Sequence, residues 1–154
     1  MEMPKPTEAH RKLEKLVGQW TGEERLLPSP WDPKGGTAEG RVQNRLALDG
    51  FIVVQDYEQR RGDVVNFRGH GVFSWNPGEG VYVLHWFDST GMPPNQFRGG
   101  FEDDVLTLTD HGPQGHFRVV FDHRQPGRYS FRMEVSQDGN TWQPFLEGSY
   151  LKGD

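Results

Sequence analysis

The side chains best suited to chemistry crowd into one stretch, residues 65–101, where Phe67-Arg68-Gly69-His70-Gly71 is followed across Asn76-Pro77-Gly78 by Tyr82, Leu84, Trp86, Asp88 and Ser89. An imidazole, a guanidinium, a carboxylate and two large aromatics make up the usual inventory of a small-molecule site, an apolar wall with a few convergent polar groups. His70 stands between two glycines that leave its ring accessible, which makes it the first candidate for a general base or ligand among the six histidines. Arg68 opposite Asp88 would either clamp a substrate carboxylate or phosphate or form a cross-strand ion pair. Asp88-Ser89 reads either as a proton-transfer pair or as a turn, since both residue types bond their own backbone. Trp20, two residues after Gly18, reads as a plug closing the narrow end of a barrel or as part of a pocket wall.

These residues need elements to hold them. Leu13, Leu16 and Val17 fall at helical spacing, Thr7 can cap and Gly18 can terminate, so one short helix is expected over about 8–17. Beyond Gly18 the pattern alternates, and turn signals recur from Asp49-Gly50 to Asp138-Gly139. Ten strands are expected: 19–27, 38–48, 51–60, 65–75, 81–88, 95–101, 104–110, 115–123, 128–136 and 141–150. The longest gap, 28–37, is a loop rich in Pro and Gly. Consecutive hairpins, each with a wet and a dry face, bury their dry faces together, and closure removes exposed edges. The fold class is therefore all-β: an up-and-down antiparallel barrel of about ten strands with one short N-terminal helix, forming one domain over 1–154.

A hairpin centred on Gly78 sets Ser74 opposite Tyr82, Val72 opposite Leu84, His70 opposite Trp86 and Arg68 opposite Asp88. That mixed face would line a cavity; the other face carries Phe67, Phe73, Trp75, Val81, Val83, His85 and Phe87. A one-residue slip in register would change these partners. If the apolar face points inward instead, Tyr82, Leu84 and Trp86 become an exposed patch fit for a homodimer.

Composition works by exclusion. With 154 residues and a formal charge of −5, the chain has no general attraction for nucleic acid or an anionic membrane. The absence of cysteine excludes disulfides, thiolate metal sites and cysteine nucleophiles. No run of 18 apolar residues and no signal-peptide core occur, so a cytoplasmic location is expected. His116 and His123 differ by an odd number and point to opposite faces of one strand, so a metal site shared with His111 is not expected. No phosphate loop, dinucleotide fingerprint, nucleophile elbow or His-Glu-x-x-His occurs, and no cofactor is expected. Glu23, Glu24, Glu39, Glu58, Glu134 and Glu147 are spread over several strands and read as solvated.

The stretches Leu16-Val17-Gly18-Gln19-Trp20-Thr21-Gly22-Glu23, Leu48-Asp49-Gly50-Phe51, Phe67-Arg68-Gly69-His70-Gly71 and Trp86-Phe87-Asp88-Ser89-Thr90-Gly91 together resemble the bacterial domain-of-unknown-function family 1579. The resemblance covers nearly the whole chain and implies a lipocalin-like, calycin-type barrel; it implies no activity. Trp20, Gly69, Gly71, Tyr82, Trp86, Asp88 and Ser89 match the family's pattern. The opening Gly-x-Trp-x-Gly is also similar to nitrobindin-type haem barrels, but the last strand, from Thr141 to Tyr150, has no histidine to serve as axial ligand. The expected function is binding of a small hydrophobic or amphipathic molecule by Trp20, Arg68, His70, Tyr82, Trp86 and Asp88. The alternatives are an isomerase- or hydrolase-type enzyme with His70 or Asp88 as general base, a packed dimeric module, and a haem barrel.

Overall fold

The computed structural model describes residues 2–30, 32–113 and 115–153; Trp31 of the long loop, Gln114, Met1 and Asp154 lie outside it. Thr7 precedes a single helical turn, α1 (Glu8–Arg11), which tightens at once into a 3-10 segment over Lys12–Leu16. The expected helix is thus one turn of α-helix and a tighter continuation, ending before Gly18, whose φ is 148°.

The ten strands are β1 (Gly18–Leu26), β2 (Gly36–Ala47), β3 (Ile52–Arg61), β4 (Val64–Asn76), β5 (Val81–Asp88), β6 (Asn95–Glu102), β7 (Val105–Gly112), β8 (Gly115–Asp122), β9 (Arg128–Ser136) and β10 (Gln143–Lys152). Each pairs antiparallel with its sequence neighbour, and β1 pairs with β10, so the sheet closes on itself. Closure leaves no edge to protect. Because side chains alternate, Trp20, Val42, Val53, Phe73, Leu84, Phe97, Leu106, Leu108, Val119 and Tyr150 all point inward and form one buried core.

One end is plugged by the N-terminal segment. Leu13 and Leu16 are fully buried there, and the chain is pinned by three hydrogen bonds to its backbone. Trp20 Nε1 and Asn44 Nδ2 donate to the Leu16 carbonyl at 3.1 and 2.8 Å, and the Tyr82 hydroxyl donates to the Ala9 carbonyl at 2.6 Å. The opposite end, where β1, β3, β5, β7 and β9 finish, carries the long loop after Leu26. Arg61 holds that loop to the barrel through Asp32 at 3.1 Å and the Gly35 carbonyl at 3.0 Å.

The register of the β4–β5 hairpin differs from the expected one by a single residue. Asn76 pairs with Val81, leaving a four-residue connection of Pro77, Gly78, Glu79 and Gly80, with Gly80 at φ 69° donating to the Asn76 carbonyl at 2.8 Å. The centre of the turn therefore lies between Gly78 and Glu79. Trp86 faces Gly71, Asp88 faces Gly69 and Leu84 faces Phe73. The inward face takes Tyr82, Leu84, Trp86 and Asp88 from β5 but Trp75, Phe73, Gly71, Gly69 and Phe67 from β4.

Candidate functional site

Inward side chains from nearly every strand, with glycines of β4 between them, build the interior at the open end. Gly69 and Gly71 form a bare strip on which the Trp86 indole lies; a Cβ at Gly69 would sit 2.1 Å from Trp86 Cη2. The indole Nε1 donates to Asp88 Oδ2 at 3.0 Å, and the other Asp88 oxygen accepts from the Thr90 backbone at 3.0 Å and from the Thr90 hydroxyl. Asp88 and Ser89 thus do turn work: Ser89 Oγ accepts from the Arg68 backbone at 3.0 Å. A Gly69→Ala substitution is expected to push the ring off its bed, costing about 1–3 kcal/mol in a denaturant titration and displacing the Trp86 indole N–H signal in an NMR spectrum. An unmoved signal would show that the strip does not position the ring.

Across the barrel from β5, a carboxylate is buried. Glu24 is 1% exposed and accepts from the Tyr57 hydroxyl at 2.7 and 2.8 Å, from Gln59 Nε2 at 2.9 Å and from the Tyr150 hydroxyl. Gly40 makes the room, since a Cβ there would lie 2.4 Å from Glu24 Oε2 and 2.9 Å from the Tyr150 ring. A bulge completes the cluster: β3 and β4 shift register between Gln59 and Arg60, leaving Asn66 unopposed and free to donate to Gln59 Oε1 at 2.8 Å. Burial first, and then the Glu24 charge, raise the Tyr57, Tyr129 and Tyr150 phenols well above their ordinary range. All three stay protonated, and Tyr57 and Tyr150 donate to Glu24.

These walls enclose a cavity of about 520 Å³ running from the open mouth to Tyr129 and Tyr150. Its lining is mostly aromatic and aliphatic, among them Phe67, Leu84, Trp86, Phe97, Phe121 and Phe131. Gln55, only 6% exposed, projects its amide into this space, and no described residue bonds it. No Lys, Arg or His is among the described lining residues.

Of the six residues expected to bind ligand, the structure brings Trp86 and Asp88 to this cavity. Tyr82 and Trp20 share its side of the sheet but belong to the plugged end. Trp20 packs edge-on against Tyr129 and His123, with centroids 4.9 and 5.5 Å apart, and Tyr82 packs against Trp75 and Phe101. Arg68 and His70 lie on the outer wall, because the register places glycines, not these residues, opposite Asp88 and Trp86. His70 Nδ1 meets Asp56 Oδ1 at 2.8 Å, beside an open surface depression that Arg68, Phe87 and Ser89 also border. The expected Arg68–Asp88 cross-strand pairing does not form, since Asp88 faces Gly69, although Trp20, Arg68, His70 and Asp88 all border that outer depression. The exposed Tyr82–Leu84–Trp86 patch does not form either, since Tyr82 and Leu84 are 4% and 2% exposed.

Two further expectations change. Glu24 is not solvated, and neither is Glu134, which sits on the outer wall between Arg118 at 2.7 Å and Arg132 at 3.3 Å. The odd separation of His116 and His123 does put them apart, His123 within the plugged end, whereas His111 and His116 are cross-strand partners with Nδ1 atoms 2.6 Å apart. Among the described residues no group of three or more His, Cys, Asp or Glu converges on a metal position. A haem held by an axial histidine, the form the sequence alternative required, would find no imidazole in the described lining.

Glu24, Tyr57, Gln59 and Tyr150 escaped the sequence reading, yet a signal existed. Glu24 is four residues from Trp20, so once Trp20 is placed inside, the period of two places Glu24 inside as well.

A closed, ten-stranded lipocalin-like barrel with a plugged end and an aromatic-lined cavity is the class that fold and interior define. Over residues 5–152 the chain matches the family described as "Protein of unknown function (DUF1579)", and it belongs to that family. The crystal structure of Rv2717c from M. tuberculosis is similar to it at 14% identity with a TM-score of 0.72, over 96% of this chain and 99% of that one. The S-type phycobiliprotein lyase CPES from Guillardia theta is similar at 9% identity with a TM-score of 0.61, over 97% and 99%. At these identities the likeness is one of fold. No curated protein sequence matches the chain. No helix among the described residues is long and apolar enough to cross a membrane.

Proposed function

We propose that the protein binds a small, largely apolar molecule inside the barrel. The observation that carries this reading is the 520 Å³ cavity, roofed by aromatic rings and open at one end, with an unpartnered amide, Gln55, inside it. A packed barrel of this size would fill that volume with side chains, because a void forfeits dispersion contacts on every wall and leaving it empty costs stability. Enclosure by apolar walls with a few polar groups is the general composition of ligand sites. The barrel of a phycobiliprotein lyase, similar in fold, agrees with a container for a small molecule.

Titration with the neutral fluorophore N-phenyl-1-naphthylamine tests this. A single saturable site is expected, and Val119→Trp, which extends a ring from the buried Val119 into the cavity, is expected to weaken binding at least about tenfold while the far-UV circular dichroism stays unchanged. Absence of saturable binding, or binding indifferent to the Val119 substitution, would refute an interior site.

A further inference from the structure

Resting on the reading of the cavity as a ligand site, we infer that its occupant is a cation: a protonated or quaternary amine carried on an apolar body. Three observations converge on this chemistry. The first is a corner of aromatic faces near the mouth. Phe67 and Trp86 stand 6.0 and 6.3 Å from Tyr57, inclined to it by 63° and 50°. Three large rings thus stand together in one corner of the lining, and a cation over the face of any of them, within about 6 Å of its centroid, is attracted by its quadrupole.

The second observation is the charge balance of the walls. The described lining holds Asp32 and Asp88 and no basic residue. Arg61 is committed to Asp32, whereas Asp88 is bonded by the Trp86 indole and by Thr90, which are neutral donors. Behind Tyr57 lies Glu24, whose partners Tyr57, Gln59 and Tyr150 are neutral too. These donors satisfy the carboxylates' lone pairs without cancelling their charge, so the interior keeps a negative potential that repels a carboxylate ligand and favours a cation. A barrel built for fatty acids would need a guanidinium or ammonium here.

The third is Gln55, buried on the adjacent β3, whose side-chain amide is bonded to no described residue. Its carbonyl oxygen offers an acceptor to an N–H of a protonated amine, and it gives the ligand a polar contact other than a charge. The aromatic corner and the uncompensated carboxylates suit either cationic head group, and the idle amide adds an acceptor for a protonated one.

Calorimetric titration of the purified chain at pH 7 with n-octyltrimethylammonium, 1-octanol and octanoate separates charge from chain. The ammonium is expected to bind at least about tenfold more tightly than octanol, and octanoate more weakly than either. Asp88→Asn and Trp86→Leu should each cut the preference for ammonium over octanol several-fold while octanol binding persists, which also shows that the variants remain folded. Equal affinities, or tighter binding of octanoate, would overturn the cationic assignment and leave the cavity reading intact. No heat from any of the three would sink both.

Discussion

Replacing Glu24 by Ala is expected to remove about 2–5 kcal/mol of stability, since each buried donor left without an acceptor costs about 1–3 kcal/mol. The reason is what stays behind. Tyr57, Tyr150 and Gln59 all donate to this carboxylate from positions inside the barrel; with Glu24 gone the two phenols lose their acceptor and Gln59 Nε2 keeps only the Tyr57 hydroxyl at 3.2 Å. Its neighbour Glu23 is the control, since it points to solvent and faces Glu39 across the strand pair, a like-charge contact. Glu23→Ala is expected to change stability by less than about 0.5 kcal/mol, because it lacks every mechanism that makes surface substitutions costly. Urea unfolding of both variants reads the difference. Comparable midpoints would mean that the Glu24 cluster is not holding β1, β3 and β10 together.

Acidification from pH 6.5 to pH 4 is expected to cost up to about 3 kcal/mol through His123 alone. Burial, and secondarily the Lys15 charge, push the His123 imidazole down to about 4, with Asp122 and Asp104 opposing. Its ring is stacked on Tyr129 at 4.5 Å and 17° and met edge-on by Trp20, and its Nε2 has no partner among the described residues. The folded protein therefore holds this ring neutral while the unfolded chain protonates it near 6.5. Between those two values the unfolded state binds more protons, so stability is full above about pH 6.5, falls as pH drops, and stops falling from this source below about pH 4. Thermal unfolding at half-unit pH steps should show that slope in the native chain and a flatter one in His123→Phe, which keeps the ring and removes the proton site. Parallel slopes would place the acid sensitivity elsewhere.

Both predictions turn on residues that the linear pattern did not mark, and particular elements show why. All ten strands were legible, because alternation and turn chemistry are local: Phe117, Val119 and Phe121 inward with Arg118 and Val120 outward is a pattern any reader of β8 can extract. The hairpin register was not. Whether β4 and β5 pair about Gly78 or half a residue beyond it depends on how Pro77 to Gly80 close the turn, and that half-step moves Arg68 and His70 from the cavity to the outer wall. Glu24 was hidden for another reason: a glutamate on a strand is usually wet, and only its partners on β3 and β10, 33, 35 and 126 residues away, make it dry.

What the sequence alone determined is the antiparallel barrel, the short N-terminal helical segment that carries Leu13 and Leu16, and the family likeness, since each follows from periods, turns and short motifs; that this segment plugs one end was decided by the tertiary structure. Tertiary structure decided which face of β4 and β5 looks inward, that Trp20 and Tyr82 seal one end while Trp86 and Asp88 line the other, and that a carboxylate sits among three donors. Those outcomes depend on closure, which fixes all ten registers at once and joins β1 to β10, the two strands farthest apart in the chain.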